Sequence, residues 1–196
     1  MKLAKFMNRA GLAALGLVAG LAVSDPVAAM GGSHGEEPVG VALDPLFKLT
    51  AHTGGAVTRA DLRRKPFIVL FGYTNCADVC PTSLFTASNL LSGLGKDADR
   101  LRVLFVTVDP ERDTPETLKT YLESFDSRII GLSGSREQIK AVEAAFEAPL
   151  GKDADKGGRS HSSAFFLMDK YGLLAKPIDY TEPQEIENMA KRLLKQ

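Results

Sequence analysis

PFIVLFGYTNCADVCP, residues 66–81, is the stretch around which the predicted structure is arranged. Its first half is apolar, β-branched and aromatic and is too short for a helix, which is typical of a buried strand. The chain's two cysteines, Cys76 and Cys80, follow in a loop, and Pro81 then suits the first turn of a helix that continues to Leu94. This order places sulfur at the N terminus of a helix, where unpaired N–H groups and the helix dipole favour thiolate over thiol.

Two thiolates at this position can attack disulfides, bind a metal ion or join in a structural disulfide. Three residues separate Cys76 from Cys80, one more than in the familiar redox dithiol, and the wider bite suits two ligands of one metal ion. Thiolates are soft donors that favour Cu(I), with zinc as a competitor, and two of them leave a zinc site incomplete. A disulfide between them closes a very short loop and restricts the unfolded chain little, so a structural role is the weakest of the three.

The composition indicates one globular domain with a terminal extension. The chain has 196 residues, 44% of them hydrophobic, which is enough to bury a core without covalent staples. Lysine plus arginine and aspartate plus glutamate number 24 each, so the formal net charge is zero. Nucleic-acid binding requires a clustered basic surface, and this balance argues against nucleic acid as a partner.

Residues 1–29 have the pattern of an export signal. Basic residues precede an apolar run over residues 10–23, and small residues at positions 28 and 29 offer a cleavage point. The run is shorter than the roughly 20 residues of most membrane-spanning helices, but a tilted helix that extends further still spans, so a cleaved signal peptide and an uncleaved membrane anchor both stay open. Either route exports the protein, in a bacterium to the periplasm, free or anchored to the inner membrane. Residues 30–40 read as a flexible tether, and residues 41–196 as the folded domain.

Strands and helices alternate after the thiols. Residues 100–109 read as a second buried strand, so that strand, helix and strand form a parallel unit. A helix capped by Thr114, a third strand and a helix with a capping pattern at Ser135 and Gln138 follow. Two short strands then predict an antiparallel hairpin before a last helix, whose start shows a capping pattern at residues 181 and 184.

A further hairpin is predicted before the thiols, over residues 45–58, with His52 near its turn as a surface residue. The order of elements is therefore hairpin, β-α-β-α-β-α and β-β-α. This order predicts an α/β, thioredoxin-like fold: a central mixed sheet flanked by helices, with an N-terminal hairpin, an inserted helix and the thiols where the first long helix begins.

Two residues distant from the cysteines are candidates for the same site. His161 ends a loop rich in Gly, Lys and Asp, residues 149–160, and in a thioredoxin-like fold this loop faces the dithiol. Two cysteines and one histidine make a three-coordinate site for Cu(I), which accepts Cu(II) with an added ligand. Asp109, at the end of the neighbouring strand, either orients the histidine by a hydrogen bond or merely caps its own loop. The charged residues 111–113 are predicted to fix that loop as an ion pair rather than to act in catalysis.

Three motifs occur in order along the chain: Thr74-x-Cys76-x-x-x-Cys80-Pro81, Asp109-Pro110-x-Arg112-Asp113-Thr114-Pro115, and His161-Ser162-Ser163 followed by Leu167 and Asp169. Together they resemble the Sco/SenC family, thioredoxin-fold copper proteins of cytochrome c oxidase assembly, over about residues 40–194. The resemblance implies that Cys76, Cys80 and His161 bind copper. It also implies that the copper goes to the oxidase subunit that carries the binuclear copper centre, and that a periplasmic thiol reductant or copper donor is a second partner.

The chain departs from the family pattern at two places. Ala77 stands where the family often has proline, and Arg159 and Ser160 precede His161 where an acidic residue is common.

Two functions are compatible with these residues. One function is a copper metallochaperone, and the other is a thiol-disulfide oxidoreductase that reduces the cysteines of the oxidase subunit or acts in redox signalling. His161 separates the two, because dithiol exchange needs no remote histidine. A peroxidase is a weaker third, because no peroxide-binding loop can be identified.

Overall fold

The computed structural model describes residues 39–40, 47–147 and 163–196. The described residues all belong to one compact unit. In chain order its elements are β1 (Val39–Gly40), β2 (Lys48–Ala51), β3 (Ala56–Thr58), α1 (Arg59–Leu62), β4 (Phe67–Gly72), α2 (Val79–Leu94), a 3-10 helix (Gly95–Arg100), β5 (Arg102–Thr107), α3 (Pro115–Leu122), β6 (Ile129–Ser133), α4 (Arg136–Glu147), β7 (Ala164–Met168), β8 (Leu173–Asp179) and α5 (Pro183–Leu194).

The strands form one mixed sheet in the order β1-β8-β7-β4-β5-β6-β2-β3. β4, β5 and β6 are parallel, whereas β7 runs antiparallel to both β4 and β8. β4 is buried along its whole length between β5 and β7, as its unbroken apolar sequence predicts. The N-terminal hairpin of β2 and β3 pairs with β6 at one side of the sheet. The predicted thioredoxin-like α/β class with a mixed sheet, an N-terminal hairpin and an inserted helix is confirmed.

Alternate residues of the central strands point to opposite faces of the sheet. Ile68 and Leu70 of β4 belong to a buried cluster that also contains apolar residues of α2, α3 and α5. Val69 and Phe71 belong to a second cluster, formed with α1, α4 and the N-terminal hairpin. Both faces are therefore covered, as a sheet with central parallel strands requires.

Two helices begin as the sequence predicts, and a third, α2, begins before Pro81 and includes Cys80, which the sequence pattern places in the loop. α2 starts at Val79, so that Cys80 is its second residue and Pro81 lies in its first turn. Thr114 caps α3, because its hydroxyl oxygen accepts the Thr117 N–H at 3.2 Å. The capping pattern before α4 is also confirmed, with the Ser135 N–H donating to the Gln138 side chain at 2.7 Å and the Gln138 N–H donating to the Ser135 hydroxyl at 3.2 Å.

The capping pattern predicted before α5 is wrong. The structure places Glu182 at the start of this helix, without a side-chain cap. Thr181 instead donates its N–H and its hydroxyl to the Asp179 carboxylate, at 2.9 and 2.6 Å. A nearby carboxylate is a stronger acceptor than the groups of a capping box, so it fixes Thr181 in the turn before the helix.

The prediction that His52 is a surface residue is wrong. The side chain is half-buried, and its Nδ1 accepts the Gly131 N–H at 2.9 Å. The His52 N–H in turn donates to the Gly131 carbonyl at 2.8 Å. His52 therefore joins the N-terminal hairpin to β6 and has a structural role.

Several predicted segments lie outside the described residues. These are the signal or anchor over residues 1–29, the greater part of the tether over residues 30–40, the loop over residues 149–160, and His161. Within the described parts of the chain, no helix combines the length and the apolar character that crossing a membrane requires. The domain start at residue 41 stays a prediction.

Candidate functional site

Residues 73–78 connect β4 to α2 and form the thiol loop. Cys76 lies in this loop and is half-buried, whereas Cys80, in the first turn of α2, is only 3% exposed. Both thiols are free. The Cys80 backbone N–H donates to Cys76 Sγ across 3.5 Å, which places the sulfur of the loop at the N terminus of the helix. The structure therefore brings the two predicted sulfur ligands together.

The pKa values of the two thiols are shifted in opposite directions. Partial burial acts to raise the pKa of Cys76, but hydrogen bonds from the Cys80 thiol and from the backbone N–H groups of residues 78–80 outweigh it, and the pKa lies below its usual value. Burial, followed by the hydrogen bond that its thiol donates to Cys76, raises the pKa of Cys80 to about 12. As pH rises, the partly exposed Cys76 is therefore the first of the pair to become a thiolate.

Gly72 allows the sulfur of Cys80 to approach the end of β4. A Cβ atom at this position would lie 2.6 Å from Phe105 Cε2 and 2.8 Å from Cys80 Sγ. Neither distance leaves room for a methyl group, so the strand end, the aromatic ring and the sulfur can meet only at a glycine. The Gly72 carbonyl also accepts the Val108 N–H at 2.8 Å, which joins this strand end to the segment that follows β5.

Residues 108–114 connect β5 to α3 and form the aspartate loop. Its Asp113 is only 1% exposed, and its carboxylate accepts three hydrogen bonds. Thr74 of the thiol loop donates its N–H at 3.0 Å and its hydroxyl at 2.6 Å, and the hydroxyl of Thr107 donates at 2.5 Å. The ion pair predicted for Asp113 is therefore wrong, because its partners are hydroxyl and amide groups. A buried carboxylate needs such donors, which only the folded chain brings together.

Ion pairs do occur at the other two charged positions of this motif. Arg112 Nη1 lies 3.1 Å from Asp109 Oδ2, and Arg136 Nη2 lies 2.5 Å from Glu111 Oε1. The Asp109 carbonyl also accepts the N–H groups of Arg112 and Asp113, so this residue does cap its loop. Its second predicted role, orienting His161, involves a residue outside the described parts. These side chains border a polar cleft of about 320 Å³, lined by Val108, Asp109, Glu111, Arg112, Arg136 and Glu143.

Tyr121 of α3 is a neighbour of the site that sequence patterns do not reveal. Its ring centroid lies 6.1 Å from that of Phe105, the ring that would contact a Cβ atom at position 72. Among the described residues, its buried hydroxyl has no hydrogen-bond partner. Burial, and then the charges of Cys80, Cys76 and Asp113, raise the pKa of Tyr121 well above its ordinary value. In the sequence Tyr121 is one member of an apolar helix face, which indicates only core packing.

The described residues supply two of the three predicted metal ligands. No group of three or more His, Cys, Asp or Glu side chains that could hold a metal ion occurs among residues 39–40, 47–147 and 163–196. The third predicted ligand, His161, lies outside these ranges. The three-residue site and the role of Asp109 beside it therefore stay predictions.

Comparison with known proteins agrees with the motifs. The family model described as SCO1/SenC matches residues 36–195. The SCO2-like protein of Rickettsia prowazekii is 37% identical over 135 residues, which are 66% of this chain and 66% of that protein. The chain thus spans just under two thirds of the length of this relative.

Solved structures with the same fold include copper-bound proteins. The structure of ScoI from Bradyrhizobium japonicum with copper bound is 41% identical, with a TM-score of 0.66, and the match covers 79% of this chain and 99% of that one. The crystal structure of yeast Sco1 with copper bound is 31% identical, with a TM-score of 0.63, and covers 80% and 95% of the two chains.

Proposed function

The chain belongs to the SCO1/SenC family, and from that premise we propose that it is a copper metallochaperone of cytochrome c oxidase assembly. Cys76, Cys80 and His161 hold the copper and pass it to the oxidase subunit that carries the binuclear copper centre. One observation carries the proposal: two free thiols meet at a helix N terminus, where Cys80 donates its N–H to Cys76 Sγ. The copper-bound ScoI structure, 41% identical to this chain, supports copper as the metal.

The donors at the site fit Cu(I). Thiolates are soft ligands, and a pair of them with one imidazole gives a low-coordinate site that suits Cu(I) better than zinc. Metal binding requires both sulfurs to be deprotonated, and the lowered pKa of Cys76 reduces the free-energy cost of forming the first thiolate. The pKa of Cys80, about 12, means that copper must displace its proton, so binding releases a proton from this residue.

Ligand exchange follows from the different exposure of the two sulfurs. Cys76 is half-buried in a loop, so a thiolate of the acceptor can approach the copper on this side. Cys80 lies 3% exposed against Gly72 and Phe105 and keeps its place during the exchange. Copper is therefore transferred by exchange of one ligand at a time, and Cys76 is the first protein sulfur to dissociate from it.

The location belongs to the same proposal. The N-terminal pattern directs the protein to the periplasm, where it is released by cleavage or stays anchored to the inner membrane through residues 1–29. A thiol reductant that keeps Cys76 and Cys80 reduced, or a donor that supplies copper, is a second partner in that compartment.

The difference between the thiols favours a second function, thiol-disulfide oxidoreductase. The Cys76 thiolate attacks one sulfur of a target disulfide, the other target sulfur leaves as a thiolate, and a mixed disulfide forms. The Cys80 sulfur, once deprotonated, then attacks Cys76, which releases the second target thiolate. The target gains two electrons, and this chain is left with the Cys76–Cys80 disulfide. An accessible attacking thiol of lowered pKa beside a buried one suits this order.

A copper titration tests the metal site. We expect His161→Ala to weaken Cu(I) binding to the reduced protein by about tenfold or more, because the site loses one of three ligands. Disulfide reductase activity should remain largely intact. Competition with a Cu(I) chelator measures the affinity, and His34→Ala, at a histidine of the predicted tether, is the matched control.

Two outcomes would contradict the proposal. Unchanged copper affinity in His161→Ala would show that the histidine is not a ligand. Stoichiometric copper on the fully oxidised protein would exclude a dithiolate site, because disulfide sulfur is a poor ligand.

A further inference from the structure

Asp113 links the two loops at the candidate site through one buried carboxylate. Its Oδ2 accepts the Thr74 N–H at 3.0 Å and the Thr107 hydroxyl at 2.5 Å, and its Oδ1 accepts the Thr74 hydroxyl at 2.6 Å. Asp113 is 1% exposed; the bond from Thr107 is buried and the two bonds from Thr74 are partly buried, and hydrogen bonds in such surroundings are worth more than at the surface. Thr74 is two residues before Cys76, and Thr107 is the last residue of β5.

The aspartate loop is held from several directions. The Asp113 N–H donates to the Asp109 carbonyl at 2.9 Å, and the Asp113 carbonyl accepts the Ser133 hydroxyl of β6 at 2.8 Å. The Asp109 N–H donates to the Thr107 hydroxyl oxygen at 3.0 Å. Three separate contacts with β5, β6 and the loop itself therefore fix the position of the carboxylate.

The backbone N–H groups of Cys76 and Cys80 make local hydrogen bonds. The Cys76 N–H donates to the Tyr73 carbonyl at 3.2 Å, and the Cys80 N–H donates to Cys76 Sγ at 3.5 Å, so these bonds stay within the loop and the adjoining helix turn. The two bonds from Thr74 to Asp113 join the loop to a different segment. Because bonds to β5, to β6 and within its own loop hold Asp113 in place, its carboxylate can position Thr74.

We propose that Asp113 is a positioning residue for the dithiol, holding the thiol loop through Thr74 so that Cys76 Sγ stays over the start of α2. A loop ordered in advance loses less conformational entropy when Cys76 and Cys80 close on each other or on a metal ion. The inference rests on the proposed function, in that both of its branches need the two sulfurs to converge. It adds to that function the residue that holds the two sulfurs close to each other.

The redox equilibrium of the full-length protein with glutathione tests this role, because it measures sulfur convergence without copper. Thr74→Val keeps the carboxylate charge and the side-chain shape but removes one of the two bonds to the thiol loop. We expect the equilibrium constant for forming the Cys76–Cys80 disulfide to fall about tenfold, a change of about 30 mV toward a less negative potential.

Two variants serve as matched controls. Thr107→Val removes one hydrogen bond to the same carboxylate and the bond from the Asp109 N–H. It leaves in place the bonds that join Asp113 to Ser133, to the Asp109 carbonyl and to Thr74. Asp113→Asn removes the charge, while its oxygen can still accept from Thr74 and Thr107 and the Thr74 hydroxyl can turn to accept from the amide. We expect both to stay within about threefold of the wild-type equilibrium constant. Far-UV circular dichroism and urea unfolding of each variant verify that it is folded.

Specific outcomes overturn the proposal. An unchanged equilibrium in Thr74→Val, or a larger shift in Thr107→Val than in Thr74→Val, would show that Asp113 does not position the dithiol through Thr74. A large shift in Asp113→Asn with none in Thr74→Val would assign the effect to charge alone. If His161→Ala leaves copper binding unchanged, the metallochaperone proposal fails, but the glutathione result still decides the role of Asp113.

Discussion

Cys76 and Cys80 are chemically different although both sulfurs lie at one helix terminus. Cys76 accepts hydrogen bonds and its pKa is lowered, whereas burial raises the pKa of Cys80 to about 12. An accessible thiolate can exchange copper or attack a disulfide, while the buried partner stays protonated until it is needed. A pair with equal thiols would have no fixed order of reaction.

The buried thiol makes the stability of the reduced protein depend on pH. Folding raises the pKa of Cys80 from 9.0 to about 12, so above pH 9 the unfolded chain releases this proton first. The contribution of Cys80 to the free energy of unfolding is therefore complete below pH 9. It is lost as pH rises toward 12, at up to about 1.4 kcal/mol per pH unit. Urea unfolding between pH 9 and 11 should show a shallower decline in Cys80→Ala than in the reduced wild type. Parallel pH profiles would contradict this prediction.

The sequence predicts part of the site and misses the rest for a physical reason. Cys76 and Cys80 are found because a strand, a loop and a helix in immediate succession fix their position. The roles of Asp113 and Tyr121 are missed, since they depend on partners in other segments that only the folded chain brings close. Local sequence patterns indicate helix caps and amphipathic helix faces. They do not indicate buried polar contacts between residues that are distant in the sequence.

At the scale of elements, the junction of β4 and α2 depends on Gly72. The parallel pairing of β4 and β5 brings Phe105 level with Leu70, and the aromatic edge then fills the space beside Gly72. Cys80 Sγ occupies the same space from the helix side. The strand end and the helix start are therefore as close as an unsubstituted backbone permits.

Replacing Gly72 should lower the free energy of unfolding, in contrast to replacing Gly93 of α2. We expect Gly72→Ala to lower the free energy of unfolding by about 1–3 kcal/mol, because its methyl group overlaps Phe105 and Cys80. Gly93→Ala is the control: its Cβ atom meets nothing within 4 Å, and alanine in a helix should raise stability by about 0.5–1 kcal/mol. Urea unfolding of both variants measures the difference. Equal effects would show that the junction tolerates a side chain.

Helix starts illustrate how far local sequence determines an element. Ser135 and Gln138 form the predicted capping box, since their partners lie within the same turn. The same kind of pattern fails before α5, because the Asp179 carboxylate competes for Thr181. The prediction for His52 fails because nothing near it in sequence indicates its hydrogen bond to Gly131.

At the scale of the whole molecule, the sheet separates two buried clusters. One cluster contains Leu91 of α2 together with residues of α3 and α5, and the other contains Ile139 of α4. Only the first contains residues of the helix that carries Cys80. A loss of packing on either side should lower stability, but only one side should loosen the site.

Leu91→Ala and Ile139→Ala test this separation. The two side chains are 0% and 2% exposed, so each truncation should lower the free energy of unfolding by about 2–5 kcal/mol. We expect only Leu91→Ala to increase the alkylation rate of Cys80 beyond the rate that global unfolding accounts for. Iodoacetamide labelling followed by mass spectrometry measures this rate. Equal increases in both variants would show that the two faces are not independent.

The place of β4 between β5 and β7 also has a kinetic consequence. Phe67 pairs with Arg102, 35 positions later, and with Met168, 101 positions later. The entropy of loop closure favours the nearer pairing, so we expect β4, α2 and β5 to assemble before β7 joins them. Both thiols belong to this early unit, whereas His161 lies just before β7. If the chain folds in the oxidising periplasm, as proposed, its dithiol would thus be exposed to oxidation before the predicted histidine is in place. Reduction of the Cys76–Cys80 disulfide would then be the step that precedes metal loading.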